Sequence, residues 1–141
     1  MELPTVEIFC FGTMKKKPLS GVVFGGYAAV LVQGERTKII SGSQLNATNY
    51  VMDITAITKS LSLLKVECKV KIYSSNQIVV NTINFDLPMK TYPHLKPALV
   101  KAMELHQIEA TLTDLTTVYP YLDIAKKEAQ KERIQLEKTT I

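Results

Sequence analysis

Three β-prone runs arrive before the first helical period, and that order is what most constrains the fold. Val6 to Phe11 is short and apolar, with Pro4 ahead of it and Gly12 behind it. Gly26 to Gln33 forms a second run, and Gly34-Glu35-Arg36 supplies a turn into a third at Thr37 to Ser41. The three read as an antiparallel meander.

A helix pattern follows, with apolar residues at Met52, Ala56 and Leu63 and at Ile57, Leu61 and Leu64. Asn46 to Asn49 offers caps at its start, and Lys65 to Lys69 closes it. Val70 to Ser74 alternates as a fourth strand. A short helix is expected from Gln77 to Ile83, and a proline-bearing loop from Phe85 to Pro93. Leu95 to His106 has helical spacing, Ile108 to Leu112 alternates as a last strand, and Thr113 to Pro120 is polar loop. The residues from Tyr121 to about 138 favour a final helix strongly. Strands and helices in this order predict an α/β domain over residues 1–141, a mixed sheet with helices packed on it.

The chain of 141 residues is 46% apolar and 21% charged, the balance of a packed globular fold and not of a disordered chain. A net charge of +4 favours a polyanionic partner without demanding one. Cys10 and Cys68 lie in apolar runs without metal-ligand spacing, as buried free thiols of a reducing compartment would. No apolar run reaches the length of a membrane span, and there is no signal-peptide pattern. A cytoplasmic protein that does not engage a membrane is expected.

Four segments carry a more specific likeness. They are Val6-Glu7-Ile8-Phe9-Cys10-Phe11-Gly12, Gly25-Gly26-Tyr27-Ala28-Ala29-Val30-Leu31, Thr48-Asn49-Tyr50-Val51-Met52-Asp53-Ile54 and Val70-Lys71-Ile72-Tyr73-Ser74-Ser75-Asn76-Gln77. In order and spacing they resemble the type I ribonuclease H family. Leu122-Asp123-Ile124-Ala125 resembles that family's final helix, so the likeness covers nearly the whole chain. It implies a five-stranded mixed sheet with strands one to three antiparallel and helices on both faces. It also implies hydrolysis of the RNA strand of an RNA–DNA hybrid by two magnesium ions on four carboxylates. Clustered anionic oxygens are needed because two neighbouring divalent cations repel each other.

The four acid positions fall on Phe11, Asp53, Ser75 and Leu122, and a one-residue shift would bring Asp123 to the last. Three of the four lack a charge. The expectation is therefore a catalytically inactive module, not an enzyme, with no metal and no cofactor. Asp53 reads as a helix-start carboxylate favoured by the dipole, or as a remnant ligand. Nucleic-acid binding would fall to Lys15, Lys16 and Lys17 in the loop after the first strand, to Thr48 and Asn49, and to Asn76 and Gln77. The family uses such positions against the minor groove and 2′-hydroxyls of an A-like duplex. Capping alone is the competing explanation for Thr48 and Asn49. An RNA–DNA hybrid or other nucleic acid is the expected partner. A protein partner or homodimer on the same scaffold is the alternative, and a third reading is a nuclease rebuilt from Asp53, Asp114 and Asp123.

Overall fold

A computed structural model describes residues 2–140. Strands β1 (Thr5–Lys16), β2 (Val23–Gln33) and β3 (Arg36–Leu45) come first, then α1 (Asn49–Leu63) and β4 (Lys69–Ser74). Helix α2 (Gln77–Phe85), a 3-10 turn (Pro93–Leu95), α3 (Lys96–Met103), β5 (Gln107–Leu112) and α4 (Pro120–Thr139) complete the chain. The sheet order is β3-β2-β1-β4-β5. The first three strands pair antiparallel, and β4 and β5 join parallel to β1. This is the mixed sheet that the sequence implies.

Two apolar layers hold it. On one face α1, α2 and α3 cover Val6, Ile8, Cys10, Val70 and Ile72, with Met52, Ile57, Leu61 and Leu99 in the packing. On the other, α4 sets Leu122, Ala125 and Ala129 against Phe9, Ala28, Val30 and Val32. The alternation along β1 creates both layers, because successive side chains leave opposite faces of a strand.

Two glycines set how close the helices come. A Cβ on Gly26 would collide with the backbone of α4 at Ala129 and Arg133, and one on Gly12 would meet the backbone of α1. Gly26 of the Gly-Gly-Tyr run is therefore a seat for α4. Ser60, on α1, is fully buried with no partner for its Oγ. Ser60→Ala is expected to raise unfolding free energy by about 1 kcal/mol in urea titration, since the unpaired hydroxyl is removed without leaving a partner behind.

Some boundaries differ from the sequence reading. The β1–β2 hairpin is longer on both sides, with Lys15 paired to Phe24 and Lys16 to Val23, so these two lysines lie on a strand and not in a loop. The helix expected from Leu95 to His106 begins as a 3-10 turn and ends at Met103, because Pro97 suits only a first turn. His106 precedes β5 and accepts a hydrogen bond from the Cys68 N–H at Nδ1, 3.1 Å. At the far edge, the Asn84 carboxamide of α2 accepts from the Ala110 N–H at 2.9 Å and donates to the Ala110 carbonyl at 2.8 Å, in the manner of a neighbouring strand.

Candidate nucleic-acid interface

The carboxyl ends of β4 and β5 and the starts of α1, α2 and α4 meet at one end of the sheet, with the middle of β1 beneath. In open α/β sheets ligands bind outside such strand ends, where the helix N-termini also present unpaired N–H groups. Gly12 makes the meeting possible, since its missing Cβ leaves room for Asn49, Met52 and Asp53 of α1.

Asp53 is 4% exposed and sits on the fifth residue of α1, not in its first turn. The helix dipole therefore does not explain it. Burial pushes its carboxyl from the ordinary 3.8 up to about 7, against opposing hydrogen bonds from the Gly12 N–H and the Asn76 side chain. Beside it the Cys10 thiol is raised well above 9.0, chiefly by burial and then by the Asp53 charge. Cys10 stays a neutral thiol, with its Sγ 3.5 Å from the Tyr73 carbonyl.

The other acid positions hold no carboxylate, and their side chains explain the register. Leu122 is 3% exposed in the α4 layer, whereas Asp123 faces outward. Phe11 is half-buried on the α4 face, and the Lys126 ammonium stands 5.7 Å from its ring centroid. Ser75 is exposed at the end of β4. A cleft of about 500 Å³ opens here, lined by Ser75, Gln77, Asp114, Leu122, Asp123 and Lys126. Asp114 is not free to serve it. Its carboxylate accepts from Thr116, Thr117 and Tyr119, and the Thr117 and Thr116 hydroxyls lead in lowering it to about 2.

A phenyl ring, a leucine, a hydroxyl and one buried carboxyl do not fit a pair of divalent cations, which need several anionic oxygens at once. No cluster of three His, Cys, Asp or Glu suited to a metal ion occurs among the described residues. Asp53, Asp114 and Asp123 form no such set either.

The expected contact residues reach this end by different routes. Thr48 is the N-cap of α1, its Oγ1 accepting from the Val51 N–H at 3.4 Å and lying 3.3 Å from the Tyr92 hydroxyl. Asn49 is the first residue of the helix and exposed, its Oδ1 bonded to the Tyr50 N–H at 3.0 Å. Asn76 caps α2, accepting from the Ile78 and Val79 N–H groups. Gln77 is exposed and donates to Asn81 at 2.8 Å. Capping is thus real for Thr48 and Asn76. Lys15 stands 3.7 Å from Glu137 of α4, an exposed pair of little energetic weight, and Lys16 and Lys17 are exposed. Lys126 and Tyr92 escape the sequence reading. Lys126 lies one helical turn beyond Leu122, a spacing that points to it, whereas nothing local links Tyr92 to Thr48.

A five-stranded mixed sheet in this order, with helices on both faces and the cleft at its carboxyl end, defines a ribonuclease H-like protein. A family model described as RNase H matches residues 4–134, and the chain belongs to that family. It is 39% identical over 79 residues to Ribonuclease H of Helicobacter acinonychis (strain Sheeba), and 38% over 79 residues to Ribonuclease HI of Helicobacter pylori (strain ATCC 700392 / 26695). Each match covers 56% of this chain and 52% of the relative, so the chain spans about half the length of these curated relatives. The fold is also that of LC9-RNase H1, "a type 1 RNase H with the type 2 active-site motif". There the TM-score is 0.74 at 11% identity, over 96% of this chain and 74% of that one. LC11-RNase H1, solved in complex with RNA/DNA hybrid, gives 0.71 at 13% identity, over 94% and 99%.

These relatives overturn one expectation. Their names are those of enzymes, so the assignment points to an enzyme and not to the inactive module that the emptied acid positions suggest. Loss of the family's ligand set at Phe11, Ser75 and Leu122 is a statement about that set alone. No helix among the described residues is long and apolar enough to cross a membrane.

Proposed function

We propose that this chain recognises an RNA–DNA hybrid at the end of the sheet where β4 and β5 finish and α1, α2 and α4 begin. The observation that carries it is the convergence at Gly12. There the start of α1, with Thr48 and Asn49, lies beside the start of α2, with Asn76 and Gln77, and the Asn76 side chain is among the groups that hold the Asp53 carboxyl down against its burial. Exposed amide side chains beside two helix N-termini offer donors and acceptors to 2′-hydroxyls and phosphates. A solved neighbour of the same fold binds such a hybrid. Lys15, Lys16 and Lys17, exposed along the β1–β2 hairpin, extend the charge that meets the phosphates.

Hydrolysis of the hybrid is the activity that the family's names make the one to assay. The residues here do not support the family's metal pair. What the chain supplies is position and charge: helix starts that orient the duplex and lysines that hold its backbone.

A fluorescent hybrid titrated with the full chain at several salt concentrations tests the reading, with strand length followed on gels from the same mixtures. Binding should weaken steeply with salt. Replacing Lys15, Lys16 and Lys17 by Ala should flatten the slope of log K against log salt by up to about 2.7, at roughly 0.9 for each phosphate no longer neutralised. A parent chain that leaves the hybrid free at low salt would refute the reading.

A further inference from the structure

We propose that Lys126 receives a backbone phosphate of the bound hybrid where the family would place divalent cations, so that the grip does not depend on a metal. This deepens the reading above and rests on it.

Lys126 follows Leu122 by one turn of α4, so it shares the helix side that carries the fourth acid position. Its ammonium lies 5.7 Å from the centroid of Phe11, the first acid position. A single cation thus adjoins two positions from which anionic ligands are missing. Lys126 and Ser75 line the same cleft. The Ser75 hydroxyl is exposed at its mouth and can donate to the same phosphate.

The loss of three acids beside Lys126 bears on the same placement. Four carboxylates with two divalent ions sum to zero, and a phosphate is drawn there only because the ions face it. With Phe11, Ser75 and Leu122 at three positions, three of those carboxylates are gone, and the Lys126 ammonium is the cation that lines the cleft. No carboxylate lies within 4.0 Å of Lys126 among the described residues, although both Lys15 and Lys131 have such partners. Asp114, on the same cleft, is an ionised carboxylate that opposes the anion, with its oxygens turned to Thr116, Thr117 and Tyr119. Asp123 opposes the anion, and its outward position at the mouth limits that opposition.

The aromatic face supplies preorganisation. A lysine held over a ring gives up part of its hydration and rotamer freedom before ligand arrives, which lowers the cost of ordering it on a phosphate. Phe11 thereby acts as a support for the cation.

The experiment titrates a fluorescent RNA–DNA hybrid with the full chain in EDTA and again in millimolar magnesium, at several salt concentrations. The proteins are the parent, Lys126→Gln, Lys126→Arg and Lys131→Gln, each checked for folding by thermal melting. The parent should bind equally well, within about twofold, with and without magnesium. Lys126→Gln should weaken binding about tenfold and flatten the salt slope by about 0.9, and Lys126→Arg should keep the slope. Lys131→Gln, on the exposed side of the same helix, should match the parent. Binding that requires magnesium would overturn the proposal, as would a folded Lys126→Gln protein with the parent's affinity and slope. Either result would leave hybrid recognition standing. A parent chain that binds in neither condition would overturn both.

Discussion

At about pH 8 the Asp53→Asn protein should be more stable than the parent by roughly 4 kcal/mol, and near pH 3 the difference should vanish. The carboxyl of Asp53 is buried, and its folded-state value is raised from 3.8 to about 7. Between those values the folded chain keeps a proton that the unfolded chain has released. The stability associated with the proton is complete below 3.8 and is lost as pH rises through about 7. Above that, folding has to bury a carboxylate among the Cys10 thiol, the Gly12 N–H and the Asn76 side chain. Asparagine keeps an acceptor for the same donors and never carries the charge. Urea unfolding of both proteins across this range measures the effect. Parallel profiles for parent and variant would show that Asp53 does not bear a buried charge.

Gly12→Ala is expected to cost about 3 kcal/mol or more, at the upper end of what overpacking a core does. An added Cβ would stand 2.5 Å from the Asn49 carbonyl oxygen, 2.6 Å from the Asp53 nitrogen and 2.8 Å from the Met52 Cβ. Two of these three atoms are helix backbone, so no rotamer change relieves them. The start of α1 has to lift from β1 as a unit, and it carries Thr48, Asn49 and Asp53 with it. Hybrid affinity should therefore fall together with stability, and restoring stability with an osmolyte should not restore the affinity. A loss below about 1 kcal/mol in urea unfolding would mean that α1 shifts freely on the sheet, contrary to the close packing of protein interiors.

Much of this is open to reading in the chain itself. The strand periods of Val6–Phe11 and Gly26–Gln33, the caps before α1 and the polar last helix are local signals, and each stands in the structure. What escapes is non-local. Nothing between residues 12 and 22 signals that β1 and β2 continue as a hairpin through Lys15 and Lys16, because a lysine triplet carries no apolar period. Asp53 reads as a helix-start acid because its burial depends on Gly12, 41 positions earlier in the sequence. The register of α4 turns on whether Leu122 or Asp123 faces the sheet, which Ala125 and Ala129 decide by sharing the Leu122 side. The step from missing acids to a missing activity goes further than residues alone allow, and the family's named enzymes correct it.

The bonds that Asn84 of α2 makes to β5 bear on assembly. By answering both the N–H and the carbonyl of Ala110, it occupies two of the pairing groups that an incoming strand would seek at that border. The opposite border, β3, carries no such plug among the described residues, and Ile39 and Leu45 are exposed along it. Of the two borders, β3 is therefore the more open to an added strand.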